Sequence, residues 1–422
     1  MNVSRPCLVL LAAALVAGVF FAPVAAADSL PLGAKKRLTE DLVGASVCSY
    51  MLGTNDLTLD EVSDAAYIYA VWDGKPKVIT DATGRTVTLY RPVKRIVTEA
   101  PDNARMLITL GAGRLLVGAD RSTVEGNCIC PGGGDGQLLC EECWERTVLG
   151  GLNNLPVTGS GGPAFETYHE EIAMLKPDLI FPWQASSADE LQGRVGAPVF
   201  VATGVNFTAY ESIADHARSI GSVISREREA EELIAFLDNK VKQVTDITDA
   251  IPESEKPRVY FAPRGASKGF HDSDMGRDFT RTTNAYYPLT MAGGINVAED
   301  VVGSNIAVEQ LLVWDPDVIF VAGSAPDGGA GVNFVLNAPE LQSLKAVREG
   351  RVYNVFYPHC CGQPHDKNLL NVFYMAKILY PDKFADIDME KEGNEIMTAF
   401  LGVDGVYTAY ADYLEFPNTQ KI

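Results

Sequence analysis

The sequence predicts an α/β protein of two lobes, each with a parallel-type sheet, and a single long helix between them. Short apolar strands alternate with helical segments both before and after residues 225–251. That middle stretch reads as one helix, because no Gly or Pro interrupts it before Pro252. In addition, one helix–turn–strand unit occurs twice in the chain. Strands that alternate with helices are typical of parallel sheets.

The first 27 residues have the pattern of a secretory signal peptide. Arg5 supplies a positive start, an apolar run covers 7–24, and Ala25–Ala27 offers a small-residue cleavage site before Asp28. An uncleaved membrane anchor is the rival interpretation, since the run is almost long enough to span a bilayer. We expect cleavage near Ala27 and a periplasmic, soluble, monomeric product.

Composition narrows the classes of partner. The chain has 35 basic and 55 acidic residues, a formal net charge of −20. Such an acidic surface argues against nucleic acids and anionic membranes as partners. A solvated acidic surface that keeps an exported protein soluble accounts for the charge equally well.

The predicted elements follow in order. Residues 28–77 form a helical extension, with Val62, Ala65, Ala66 and Tyr69 at helical spacing. Residues 78–224 form the N-terminal α/β lobe. Its helices are expected at Asn103–Leu110 and Glu171–Leu175, and its strands at Val78–Asp81, Thr86–Leu89, Arg95–Thr98, Leu115–Gly118, Leu179–Phe181 and Pro198–Val201.

The middle helix covers residues 225–251, with Ser225 as its candidate N-cap. About 25 helical residues would reach roughly 37 Å, which is enough to run from one lobe to the other. The C-terminal α/β lobe covers residues 252–422. Its strands are expected at Arg258–Phe261, Val318–Val321 and Val352–Val355, with a closing helix at Asp388–Phe400.

The internal repeat relates Glu170–Ile180 to Glu309–Ile319. In both segments a glutamate stands seven residues before a Pro-Asp pair, and an apolar strand follows. Two lobes built from one supersecondary unit explain the repeat most simply. Chance recurrence of a common helix–turn–strand unit is the alternative.

Eight short sequence segments between residues 78 and 412, taken together, resemble those of the periplasmic solute-binding proteins of iron-siderophore, haem and cobalamin ABC importers. Each segment alone is weak evidence, and the resemblance rests on their shared order and spacing. The segments are Val78–Arg85, Arg95–Val97, Ala100–Asn103, Leu110–Gly113, Leu175–Ile180, Glu309–Leu312, Asp315–Ile319 and Lys345–Tyr353.

This resemblance implies a rigid interlobe helix, a ligand cleft between the lobes, and delivery of a metal chelate to an ABC permease in the inner membrane. It also implies that Glu170 and Glu309 dock onto that permease, one from each lobe. Two carboxylates on separate lobes would fix the orientation in which the protein docks and would steer it electrostatically towards the permease. The alternative is that each is an acid favoured at a helix N-terminus by the helix dipole.

Two cysteine pairs, Cys128 with Cys130 and Cys140 with Cys143, flank a Gly-rich loop. Four thiolates at this spacing could bind zinc or an iron–sulfur centre. In an exported protein, disulfides that staple the loop are the simpler alternative, and free thiols are the third. We expect that the protein requires no cofactor, and metal binding at these four cysteines is one of the three alternatives.

Five residues are candidate ligand contacts. Arg264 follows the first strand of the second lobe, and a fixed guanidinium suits carboxylates or oxyanions. Trp183 ends a first-lobe strand and could stack on a flat ligand, and Arg121 is a further cation. Tyr357 and His359 lie in a segment after a strand, where imidazole could bind a transition metal. Core packing or surface hydrogen bonding is the alternative for each.

The chain lacks the recognisable sequence motifs of hydrolases, metalloproteases and nucleotide-binding enzymes. We therefore expect a binding protein for a ferric siderophore, haem or a cobalamin-like chelate, and no catalysis. An oxyanion (molybdate or tungstate) or free metal-ion binder on the same fold is the first alternative. The others are an exported metal-dependent redox protein that uses the cysteine clusters, and a surface adhesion protein.

Overall fold

The computed structural model describes residues 37–125, 151–161, 165–263, 279–303, 305–322, 330–358 and 362–413. Arg264, His359 and all the clustered cysteines lie outside these ranges. The chain divides into two compact units. One comprises Met1–Lys77 with Leu89–Pro92, and the other comprises Val78–Thr88 with Val93–Ile422.

The first unit contains the helices Glu40–Met51 and Leu59–Val71. The second of these begins with a capping box. The Thr58 backbone N–H donates to the Glu61 carboxylate at 2.8 Å, and the Thr58 hydroxyl accepts from the Glu61 N–H at 3.3 Å. The two helices pack around a small apolar core that includes Ala65 and Ile68.

The N-terminal lobe is built on a parallel sheet of β3 (Ile96–Thr98), β4 (Leu116–Ala119) and β5 (Leu179–Phe181), in the order β4-β3-β5. All three residues of β5 are fully buried, which explains their uninterrupted apolar sequence. Before this sheet, β1 (Lys77–Thr80) and β2 (Thr86–Leu89) form a two-stranded sheet.

The predicted strand at Pro198–Val201 is reduced to a single parallel bridge between Val199 and Ile180. Pro198 has no N–H to extend the pairing. The Val201 N–H turns away and donates to the Asp81 carboxylate at 3.4 Å. The prediction of a full strand was therefore wrong.

The C-terminal lobe is built on a second parallel sheet of β6 (Arg258–Ala262), β7 (Ile295–Asn296), β8 (Val318–Ala322) and β9 (Val352–Val355), in the order β7-β6-β8-β9. The predicted α/β class with parallel sheets in two lobes is thereby confirmed. One face of this sheet is covered by a core that includes Tyr260, Ile319 and Leu341.

Between the two sheets in sequence lies an unbroken helix of 22 residues, Glu227–Thr248. Ser225 does not cap its N-terminus. It ends the preceding helix Glu211–Ile224 in a left-handed conformation with φ 58°, so the predicted N-cap was wrong. Lys240 is buried near the middle of the long helix. It forms ion pairs with Glu392 and, at 2.5 Å, with Glu395.

The remaining helices of at least four residues cover the sheets and the lobe surfaces. They are Pro101–Thr109, Arg121–Glu125, His169–Met174, Ala188–Val195, Tyr287–Met291, Val308–Trp314, Ala330–Asn337, Lys345–Arg348, His365–Leu379, Met389–Leu401 and Val406–Tyr413. Within the described ranges, none of the helices combines the length and hydropathy needed to cross a bilayer.

Candidate functional site

Chemically active side chains follow each strand of the N-terminal sheet. Glu99 comes directly after β3, Asp120 directly after β4, and Trp183 two residues after β5. The carboxyl ends of parallel strands meet at one edge, and open α/β sheets bind ligands at that edge. This edge of the first lobe is therefore the candidate ligand-binding site.

Glu99 is fully buried at this edge. One carboxylate oxygen accepts from the Trp183 backbone N–H at 3.1 Å. The other, Oε1, has no hydrogen-bond partner among the described residues. Burial raises the pKa of Glu99 to about 7, and the nearby charge of Asp120 acts in the same direction. Near neutral pH the Glu99 carboxyl is therefore partly protonated, so it can donate a hydrogen bond in one form and only accept hydrogen bonds in the other.

Asp120 is fully buried beside it. Its carboxylate accepts from the Thr123 hydroxyl at 2.6 Å and from the Thr123 N–H at 3.2 Å. Burial raises the pKa of Asp120. The charge of Asp120 therefore disfavours ionisation of the neighbouring Glu99.

Arg121 brings a positive charge to the same edge. Its side chain is 41% exposed and lies 3.6 Å from the Glu125 carboxylate. Its Nη2 lies 3.5 Å from the Tyr168 hydroxyl, which is the outer limit of a hydrogen bond. The guanidinium is held loosely enough to be available to a ligand.

Trp183 stacks on Phe165, with ring centroids 5.0 Å apart and planes 5° from parallel. Gly159 makes room for this pair, since a Cβ there would lie 2.2 Å from the Phe165 ring. The stacked rings are both partly exposed. They provide a flat aromatic surface beside a cation and two buried acids.

In the C-terminal lobe, Tyr357 follows β9 and is 6% exposed. The backbone of the preceding Phe356 is clamped by Asn371, whose side-chain oxygen accepts from its N–H at 3.0 Å and whose amide donates to its carbonyl at 2.9 Å. Tyr357 is thus mostly buried, next to a backbone segment that Asn371 fixes. Arg264 and His359, the other candidates from this lobe, lie outside the described residues.

The two lobes meet through Asp102 at the start of the helix Pro101–Thr109. Its carboxylate accepts from the Gln363 N–H at 2.5 Å, and the Gln363 side chain accepts from the Phe207 N–H at 2.5 Å. Gly362 has φ 100°, and a Cβ at this position would lie 2.2 Å from the Asp102 carboxylate. The lobe contact therefore depends on a glycine.

Two buried histidines adjoin this contact. His216 and His365 have ring centroids 6.1 Å apart, and the Nε2 atom of each lacks a hydrogen-bond partner among the described residues. Burial lowers the pKa of His216 and lowers that of His365 well below its ordinary value. Both rings are therefore neutral in the folded protein at neutral pH.

The predicted docking glutamates lie on structurally equivalent turns. Glu170 and Glu309 are both exposed in the first turn of a short helix. Each helix ends at a non-glycine residue in the left-handed region, Lys176 with φ 47° and Asp315 with φ 40°. The repeat seen in the sequence is thus a repeat of backbone conformation.

The same two bonds anchor both turns to their sheets. The Asp178 carboxylate accepts from the Arg95 N–H at 3.0 Å, and the Asp317 carboxylate accepts from the Arg258 N–H at 2.8 Å. Each arginine also donates from its side chain to the carbonyl that ends the helix, at 2.7 and 3.2 Å. Because the two turns are anchored by equivalent hydrogen bonds, Glu170 and Glu309 occupy equivalent positions on the two lobes.

No group of three or more His, Cys, Asp or Glu side chains within the described ranges is arranged to hold a metal ion. The cysteine clusters fall outside those ranges, so their chemistry stays a prediction. Glu99 and Asp120 were not among the site residues predicted from the sequence. An acid placed directly after a buried strand was the available signal.

Comparison with known proteins extends these observations. The profile of the periplasmic binding protein family matches residues 96–355, which begin with β3 and end with β9. The molybdate-binding protein MolA of Haemophilus influenzae is 23% identical over 349 residues, covering 77% of this chain and 90% of the relative.

Two solved structures share the fold. A periplasmic solute-binding protein from Veillonella parvula covers 81% of this chain and 99% of its own, with a TM-score of 0.59 and 22% identity. The structure of MolA bound to molybdate covers 78% of this chain and 98% of its own, with a TM-score of 0.58 and 20% identity.

Proposed function

The chain belongs to the periplasmic binding protein family, and from this premise we propose that it captures a metal chelate and delivers it to the permease of an ABC importer. That it is a solute-binding protein of an ABC transporter follows from the family. The proposal adds the ligand class: a ferric siderophore, haem or a cobalamin-like chelate. The family match supports the role of solute-binding protein, since residues 96–355 include both parallel sheets. The ligand class is proposed from the chemistry of the sheet edge.

The chemistry of the N-terminal sheet edge supports a chelate. The stacked Trp183 and Phe165 rings offer a flat apolar surface, and Arg121 lies at the same edge. Aromatic faces suit a large planar or partly apolar ligand, and a guanidinium suits its carboxylate or oxyanion groups. Arg264, Tyr357 and His359 are the proposed contacts from the second lobe.

An oxyanion such as molybdate or tungstate is the second candidate. The observation that favours it is the similarity to MolA over 90% of that protein's length. A small tetrahedral anion would use Arg121 and Arg264 and would have little need of the aromatic pair. The two ligand classes therefore differ in their predicted dependence on Trp183.

The proposed setting is the periplasm, with the first 27 residues removed at export and a permease in the inner membrane as partner. Glu170 and Glu309 are the proposed contacts to that permease. Their equivalent, exposed positions on the two lobes support this role. The proposed protein is a monomer and requires no cofactor.

A thermal-shift screen tests the ligand class directly. A tight ligand at a hundred times its Kd stabilises the native state by about 2.7 kcal/mol, which corresponds to a rise of several degrees in Tm. The panel should hold ferric hydroxamate and catecholate siderophores, haem, cobalamin, molybdate and tungstate. We expect a chelate to raise Tm, and loss of that rise in Trp183→Ala. A rise with molybdate alone would favour the second candidate, and no rise at all would contradict both.

A further inference from the structure

Each of the two docking turns, Glu170–Asp178 and Glu309–Asp317, presents an apolar residue that the glutamates alone do not explain. Met174 and Val313 occupy equivalent positions in the repeat, and they are 74% and 78% exposed. Two residues earlier, Ile172 and Leu311 are also equivalent, and both are buried. In each short helix the first of these apolar side chains therefore faces its lobe and the second faces solvent, and Leu312 beside Val313 is also 36% exposed.

The exposed apolar residue lies beside the glutamate in both lobes. Met174 is four residues after Glu170, and Val313 is four residues after Glu309. Residues four apart lie on one helix face, with Cβ atoms about 5–6 Å apart. Neither glutamate forms an ion pair with a cation of the described residues, so each acid is available to a partner.

Recurrence separates these residues from ordinary surface side chains. A single exposed apolar residue needs no explanation. Here, however, Met and Val stand at the same position of two turns that share their backbone conformation, their anchoring and their pattern of exposure. A partner with two equivalent surfaces would contact both turns in the same way, and two-fold symmetric oligomers have such surfaces.

We propose that Met174 and Val313 extend the docking contacts already proposed for Glu170 and Glu309 into a duplicated surface that fits a two-fold symmetric membrane permease. Each half of that permease presents a cation beside an apolar patch. This inference rests on the proposed function and names the partner surface. The net charge of −20 disfavours a second copy of this chain as the occupant, because acids would then face acids.

The two members of each pair have separate roles. The carboxylates steer the encounter and set the association rate and its dependence on salt. The apolar side chains lose contact with water in the complex and so slow dissociation. Removal of the apolar pair should therefore change the dissociation rate without changing the salt dependence.

The test measures binding kinetics to an ABC permease of the same organism in lipid nanodiscs, chosen because the wild-type protein binds it. Four proteins are compared: wild type, Met174→Ser with Val313→Ser, Glu170→Ala with Glu309→Ala, and the matched control Val302→Ser. Val302 is fully exposed and lies outside both turns. Urea denaturation of the same samples verifies that each variant is folded.

We expect the Met174→Ser, Val313→Ser protein to bind the permease about ten- to a hundredfold more weakly through faster dissociation. The glutamate variant should associate more slowly and lose most of its salt dependence. Leu at both apolar positions should restore tight binding. Binding of the apolar variant that equals the Val302→Ser control would overturn the inference while leaving the proposed function intact. Failure of the wild-type protein to bind any permease would overturn the proposed function itself.

Discussion

Substitution of Glu99 by Gln should stabilise the protein at alkaline pH and leave its stability nearly unchanged at acidic pH. Burial raises the pKa of Glu99 to about 7 from an ordinary value of 4.5. Below pH 4.5 the carboxyl is protonated in both the folded and the unfolded chain. Between pH 4.5 and 7 only the folded chain keeps the proton, so stability falls as pH rises through this window.

The magnitude follows from the two pKa values. A tenfold change in a protonation constant corresponds to about 1.4 kcal/mol, so above pH 7 the ionised carboxylate destabilises the fold by about 3 kcal/mol. Glutamine cannot ionise, and its side-chain oxygen can still accept from the Trp183 N–H. At pH 8 the variant should therefore be more stable than the wild type by up to about 3 kcal/mol.

Urea denaturation of both proteins at pH 5, 6, 7 and 8 measures this difference. The buried His216 and His365 destabilise the fold as pH falls below about 6.5, because only the unfolded chain then gains their protons. That contribution is common to both proteins and cancels in the difference. The exposed Glu171→Gln serves as control and should change stability by less than about 0.5 kcal/mol at any pH. A Glu99→Gln protein that is less stable than the wild type at pH 8, or whose free energy of unfolding differs from that of the wild type by the same amount at every pH, would contradict a raised pKa of Glu99.

Three further predictions concern binding, docking and packing. Glu170→Ala with Glu309→Ala should leave ligand affinity nearly unchanged and abolish most uptake in reconstituted vesicles; lost ligand binding would contradict the docking role. Arg264→Ala should weaken ligand binding by about ten- to a hundredfold in calorimetry, as expected for a charge-assisted hydrogen bond, and unchanged affinity would remove it from the site. Gly159→Ala places a Cβ 2.2 Å from an aromatic ring and should lower stability by about 1–3 kcal/mol with altered tryptophan fluorescence. Gly193→Ala, which meets no atom within 4 Å, is its control and should not be destabilising.

Local patterns in the sequence predicted most of the sheet residues. The bounds of Leu179–Phe181 and Val352–Val355 were predicted to the residue, because buried strands of parallel sheets are short apolar runs between turn residues. The errors arose where a neighbouring element decided the outcome. Ser225, followed by acids, resembles an N-cap, yet it ends the preceding helix. Pro198–Val201 has a strand composition, yet only the Phe200 N–H bonds to the sheet, at the Ile180 carbonyl. Pro198 has no N–H, and those of Val199 and Val201 donate to side chains.

Less of the candidate site than of the fold could be predicted from the sequence, because the contacts of the site join residues that are far apart in the chain. Asp102 and Gln363 are separated by 261 residues, and no local pattern predicts their hydrogen bond. The burial of Glu99 likewise depends on two neighbouring strands. Trp183 and Arg121 could be proposed because their residue types and strand-end positions are visible in the sequence. Their proximity to two buried carboxyls was visible only in the structure.

As a solute-binding protein, this chain should bind one solute reversibly and leave it chemically unchanged. Isothermal titration calorimetry with the ligand identified by the screen, followed by mass spectrometry of the ligand released from the same cell, tests it most directly. We expect saturable binding of one ligand per chain and recovery of that ligand chemically unchanged. Recovery of a reduced, cleaved or demetallated product, or heat that continues after saturation, would contradict it.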